Sequence, residues 1–364
     1  MNSEFLIIGA GVIGLSSALA LLQQGATVTV LDRGLSGSES SWAGGGILSP
    51  LCPWDYPDEV THLTSLGASL YPAWSQALHD ATGIDPEYAV TGMLVLPPFD
   101  AQTASQWCAR HGSRLEKLAS QQACANVEWE GTALLLPEVA QVRNPRLMRA
   151  LRKQVEMLGG HIIENCAVSD IESGNGQVQR LHTSSGEMKA GQYIVASGAW
   201  SRQVLGRHAL QLDIKPVRGQ ILLFKFPAPP LPHIVLQREL YLIPRCDGHL
   251  LVGSTLEDEG FDKSTTQQAG MSLRQRAETL LPQLRDMPLV QHWSGLRPAS
   301  PHNIPAIGRH PGLDNLYLNC GHFRYGVTMA PACARLLLND IKSDPQPFDV
   351  AAYRSWWSSG HDST

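Results

Sequence analysis

The chain of 364 residues carries little charge: Asp, Glu, Lys and Arg make up 17% of it. Basic side chains number 28 and acidic ones 33, a formal net charge of -5. Such a balance gives no electrostatic reason to expect nucleic acid or an anionic membrane as partner. Long apolar runs are missing too. None reaches the roughly 18 to 20 residues a membrane span needs, so no span is expected. A secretory leader is not expected either: the first apolar stretch starts at Phe5 with no basic region before it, and Gly9 interrupts it. The seven cysteines (52, 108, 124, 166, 246, 320 and 333) are odd in number, scattered and without a C-x-x-C pair. They read as free thiols in a reducing cytoplasm. Metal-ligand spacings are absent, and no metal is expected.

What is present is apolar and rich in turns. Hydrophobic residues make up 43%, with 33 Gly and 24 Pro. This composition argues against disorder, and the length suggests two domains. Phe5-Leu6-Ile7-Ile8 is a continuous apolar run of the kind buried on both faces of a sheet. A glycine-rich turn follows, then Leu15, Ala18, Leu19 and Leu22 at helical spacing, with Gly25 as a stop. Residues 27–31 make a second strand ending at Asp32, which completes a βαβ unit. Another helix is expected from Asn144-Pro145, with Asn144 as its cap and Gly159-Gly160 as its end. Strands joined as hairpins follow over 161–166, 168–172, 177–183 and 192–196. From Pro216 to Trp293 antiparallel strands alternate with Pro and Gly turns, with one helix near 265–281. A short strand at 316–319 and a final helix near 326–341 close the chain. The fold class is α/β, α+β overall. A Rossmann-like domain of discontinuous segments carries an inserted domain with a mainly antiparallel sheet.

Gly9-x-Gly11-x-x-Gly14 stands between the first strand and helix, and Asp32 follows Gly14 by 18 residues. That context marks a dinucleotide site. The glycines let backbone N–H groups reach a pyrophosphate, the helix start favours its charge, and the acid suits a ribose. A second glycine cluster, Gly44-Gly45-Gly46, sits in an apolar setting within residues 40–50. It favours a flavin over a nicotinamide as the bound group. No second framed G-x-G-x-x-G exists, which suggests that electrons come from the organic substrate.

These residues carry a resemblance. The stretches I-I-G-A-G-V-I-G (7–14), S-S-W-A-G-G-G-I-L-S-P (40–50), I-V-A-S-G-A-W-S (194–201), P-V-R-G-Q (216–220), G-L-R-P (295–298), I-P-A-I-G-R (304–309) and G-H-F-R-Y-G-V (321–327) resemble the D-amino acid oxidase family of FAD enzymes. Within it, the chain is similar to the glycine oxidases linked to thiamine biosynthesis. The resemblance implies an FAD-binding domain over 1–85, 138–212 and 298–364, and a substrate-binding domain over 86–137 and 213–297. It implies cofactor contacts from Gly9, Gly11, Val12, Ile13, Gly14, Asp32, Arg33, Ser40, Ser41, Gly45, Gly46, Ile47, Val168, Ser197, Gly198 and Trp200. The segment His322, Phe323, Arg324, Tyr325, Gly326, Val327 and Thr328 would lie along the flavin. Arg297 would grip the substrate carboxylate with Tyr241, while Arg324 and Leu48 would border the substrate. No side-chain acid or base is implied.

Three departures from the family pattern stand out: Pro301-His302-Asn303 after the arginine motif, Tyr325 where many relatives have Asn, and Glu239 in place of a His. No Cys lies between Cys246 and Cys320, so non-covalent FAD is expected. The implied reaction is oxidation of glycine, sarcosine or small D-amino acids by molecular oxygen, giving an oxo acid, ammonia and hydrogen peroxide. A D-amino acid dehydrogenase using a quinone or other acceptor remains an alternative. So do a nicotinamide dehydrogenase and a non-catalytic flavin-binding sensor or assembly subunit. Whether the chain forms a homo-oligomer is left open.

Overall fold

The computed structural model of the chain describes residues 3–119, 124 and 126–357. Two large sheets organise it. The first has six strands in the order Ala306–Arg309, Leu316–Cys320, Ala190–Val195, Ser3–Ile8, Val28–Leu31, His161–Ile163. All neighbours pair in parallel except Ala306–Arg309, which runs antiparallel to Leu316–Cys320. Phe5 to Ile8 are buried, as expected of a central strand with both faces covered. On one face lie the helices Val12–Leu22, Asn144–Met157 and Gly326–Lys342. On the other, Ile171, Val178 and Leu181 of a three-stranded sheet (Val168–Gly174, Gln177–Thr183, Gly186–Met188) pack against Leu6, Ile8 and Tyr193. The turns at 174–176 and 184–186 make the expected hairpins.

The second sheet has eight strands in the order Leu289–Ala299, Lys215–Lys225, His249–Gly253, Leu240–Pro244, Ile234–Gln237, Met93–Leu96, Thr132–Leu136, Glu116–Ala119. It is antiparallel apart from Ile234–Gln237 against Met93–Leu96. The helix Gln267–Leu280 covers one face, and the other packs on the helix Ala101–His111 and Trp54. No helix among the described residues is long and apolar enough to cross a membrane. All seven cysteines are free.

Two features depart from the sequence reading. The longest helix, Asp58–Thr82, was not among the expected elements; it contains Gly67 and Pro72, residues that ordinarily interrupt helices. Gly67 is there for a close crossing: a Cβ would stand 2.0 Å from the Thr328 carbonyl oxygen of the C-terminal helix. Asn144 does not cap its helix. Arg143 holds the cap position without a side-chain bond, and the Asn144 amide instead donates to the Ser41 carbonyl at 2.8 Å.

Candidate functional site

A cavity of about 390 Å³ opens between the two sheets. It runs from the C-terminal edge of the parallel strands, beside Asp32 and Val168, to Tyr241, Arg297 and Arg324 on the antiparallel side. Its first end is the glycine turn. Gly9 sits at φ +113, where a Cβ would fall 2.4 Å from the Ala196 carbonyl oxygen. Gly11 faces the cavity and leaves the N-terminus of the helix Val12–Leu22 open. That terminus has no acidic residue in its first turn and no cap from Gly11, so apart from the Val12 amide, which Ser41 Oγ takes, its positive end is open to an anion. Gly14 is not part of the cavity wall. A Cβ there would lie 1.8 Å from the Gly9 carbonyl oxygen, so this glycine lets the helix seat on the turn. Asp32 braces the same turn, accepting from the Ala10 and Gly34 amides at 2.8 and 2.9 Å. Beside it the Arg33 guanidinium lies 3.5 Å from the centre of the Trp200 ring.

The middle wall is the second glycine cluster with the short helix Ser40–Ala43. Ser41 Oγ accepts from the Val12 amide at 2.9 Å, which joins the two glycine elements. Gly46 is left-handed at φ +76, and a Cβ would strike the Val142 carbonyl oxygen at 2.1 Å. The buried Arg245 secures this loop, donating to the carbonyls of Gly45 (2.8 Å) and Val142 (2.9 Å). Ser40, Ile47, Ser197 and Gly198 complete the wall. Leu48 is only 3% exposed; it packs in the core beside the parallel sheet, because the Ile47 strand bridge to Gln141 turns its side chain away from the cavity. The residue expected to border the substrate thus sits behind the cavity wall. Thr328 is likewise behind the wall: its hydroxyl donates to the Ile47 carbonyl at 3.0 Å.

The far end carries the charge. Arg297 lies deep in the protein, with its accessible surface turned to the cavity. Its guanidinium donates to Ser254 Oγ at 2.6 Å and to the Thr255 carbonyl at 3.1 Å. Burial pulls its pKa below the usual arginine value, an effect opposed by the neighbouring Tyr241 hydroxyl. Two glycines make room here. A Cβ on Gly219 would lie 2.1 Å from Arg297 Nη1, and one on Gly253 would lie 2.6 Å from the Tyr241 ring. Across the strands Gly219 faces Gly295, whose bare backbone admits Ala43 of the short helix. Arg324 pairs with Glu239 at 3.1 Å. His322 is buried and its Nε2 has no protein partner; burial pushes its pKa down to about 3, so the ring is neutral. Phe323, Tyr325, Gly326 and Val327 finish the wall, and Gly326 begins a second helix whose first turn holds no acid and no side-chain cap. Of the three departures, Tyr325 lines the cavity edge-on to Tyr56, and Glu239 touches Arg324. Pro301–Asn303 is a short turn outside the cavity wall.

The family model described as FAD dependent oxidoreductase matches residues 4–339. The chain belongs to that family. A glycine oxidase of Pseudomonas aeruginosa is 44% identical over 359 residues, covering 97% of this chain and 98% of the relative. A bifunctional ThiO/ThiG protein of Nostoc sp. is 33% identical; the match covers 95% of this chain and 54% of that protein. The crystal structure of glycine oxidase from Geobacillus kaustophilus superposes with a TM-score of 0.92 at 26% identity, over 97% of this chain and 98% of that one.

FAD, the family cofactor, fits the residues present. Two helix N-termini without a cap-residue bond open on the cavity, and lining residues including Asn144 (Oδ1), Asn319 (Oδ1) and His322 (Nε2) keep buried polar atoms without protein partners. A flavoenzyme of this family thus accounts for both glycine clusters. The sequence reading missed Ser254, Gly219, Gly295 and the cavity-facing role of Asn144. Gly219 had a signal, since it lies in the P-V-R-G-Q stretch. Ser254 had none.

Proposed function

We propose that this chain oxidises glycine, and with it sarcosine and small D-amino acids, to the oxo acid, hydrogen peroxide and the freed amine, which is ammonia from glycine and methylamine from sarcosine. The observation that carries the reading is Arg297, a guanidinium fixed by Ser254 and Thr255, beside Tyr241, at the end of a cavity shaped for FAD. An arginine fork matches a carboxylate and orients the rest of a small amino acid. The chemistry that bound FAD would supply is two-electron oxidation of the carbon next to the amine, with molecular oxygen as final acceptor. Arg297 and Tyr241 hold the substrate so that this carbon is presented. The nitrogen lone pair supports the departing hydride, so the amine must arrive neutral. No side chain at this end is suited to strong base catalysis: His322 is buried and held neutral, with its pKa near 3. The imine product leaves to water, or to the thiazole-forming step of thiamine biosynthesis, a role that the ThiO/ThiG relative supports.

The reading extends to the cofactor linkage, the domains and the location. Cys320 lines the cavity, but burial pushes its thiol up to about 12, so it stays protonated and is a poor site for flavin attachment. This supports dissociable FAD. The two sheets support the division into an FAD-binding and a substrate-binding domain drawn above, and seven free thiols support a reducing cytoplasm. The test is a substrate panel on purified protein. Glycine, sarcosine, D-alanine and D-proline should each yield peroxide, and acid precipitation should release the flavin. Turnover only with a quinone or dye would favour the dehydrogenase reading. Flavin that glycine fails to bleach without oxygen would overturn the proposal.

A further inference from the structure

We propose that Glu239 sets the number of negative charges a substrate can bring into the cavity, by occupying the guanidinium of Arg324. The inference rests on Arg297 being the carboxylate clamp. Two arginines, Arg297 and Arg324, line the substrate end and are close enough to influence each other electrostatically. Glu239 reaches them from the two-residue loop between the strands Ile234–Gln237 and Leu240–Pro244, where Arg238 is left-handed at φ 55. Its carboxylate lies 3.1 Å from Arg324, whose side chain is only 17% exposed. The acids that line the cavity among the described residues, Asp32 and Glu39, stand at the nucleotide end. Tyr56 and Tyr325 face Arg324; burial pushes the Tyr325 hydroxyl's pKa up, and Glu239 is the carboxylate that meets the guanidinium.

Two guanidinium groups and one carboxylate leave one positive charge uncompensated. A substrate with one carboxylate and a neutral amine matches it. A second carboxylate would have to stand beside Glu239 or displace it from Arg324; like charges at that spacing repel, screened in part because the Glu239 side chain is 55% exposed. Removing the Glu239 charge uncovers Arg324 as a second anion-binding group. The residue thereby selects for monoanionic amines without touching them.

The experiment compares wild-type holoenzyme with E239Q and E239S. The probes are glycine against iminodiacetate, an amine with two carboxylates, and acetate against malonate as unreactive ligands read by the flavin absorbance shift. In both variants kcat/KM for iminodiacetate relative to glycine should rise about tenfold, and malonate should tighten relative to acetate by a similar factor. Adding R324Q to E239Q should abolish both gains. Unchanged ratios in variants that still turn over glycine would overturn the inference and leave the clamp intact. Failure of the clamp itself looks different: R297A would then bind acetate as wild type does.

Discussion

Gly219→Ala adds one methyl group against the Arg297 guanidinium, and it should weaken substrate binding strongly. A Cβ at this position would stand 2.1 to 2.3 Å from Nη1, Nη2 and Cζ of Arg297. Ordinary contact at 3.4 Å requires the guanidinium to move by about 1.3 Å. It cannot do so and keep its bonds to Ser254 Oγ (2.6 Å) and the Thr255 carbonyl (3.1 Å). Displacing a charge-assisted clamp from its carboxylate costs about 2–3 kcal/mol, or roughly 30- to 150-fold in KM. The strand itself should survive, since residues 215–224 pair with Leu289–Ala299, residues 221–225 pair with His249–Gly253, and Gly219 is not left-handed. Steady-state kinetics with glycine and the flavin absorbance of the purified variant test this together. R297A, which removes the group outright, should raise KM by at least as much while retaining FAD. A Gly219→Ala enzyme with wild-type KM, or one that loses flavin while KM holds, would refute the reasoning.

Gly11→Val should yield colourless protein, because its branched side chain would fill the space in front of the open helix terminus and press on Ser41 Oγ, already 3.1 Å from a Cβ; a fully yellow variant counts against it. His322 should shape acid stability. Its folded pKa of about 3 lies below the ordinary 6.5, so the unfolded chain binds a proton that the folded chain refuses. Stability is lost as pH falls from 6.5 towards 3, by about 2 kcal/mol between pH 7 and pH 5. His322→Gln should lose correspondingly less over that interval in urea denaturation; equal pH slopes would show that the ring is not held neutral by burial.

Much of the nucleotide half was legible in the chain because its signals are local. The apolar run 5–8, the three glycines and Asp32 lie within one βαβ unit, whose geometry follows from neighbours in sequence. Even there the three glycines divide by contact: Gly11 leaves room at the cavity, Gly9 avoids Ala196, and Gly14 avoids Gly9. Leu48 and Thr328 read as site residues from their motifs, but strand pairing and helix docking turned them inward. The helix Asp58–Thr82 was not among the expected elements; Gly67 and Pro72 punctuate its sequence, while its stability comes from packing on the C-terminal helix.

The sequence alone determined the class of cofactor and the α/β framework, because spacing and residue chemistry suffice for both; the arginine expected to meet a carboxylate came from the family resemblance its motif carries. Only the tertiary structure brought Arg297 under Gly219, set Ser254 against its guanidinium and laid Glu239 on Arg324. Those contacts join residues 43, 78 and 85 positions apart, across strands and between sheets. No local pattern encodes such distances; they follow from how the two sheets pack around one cavity.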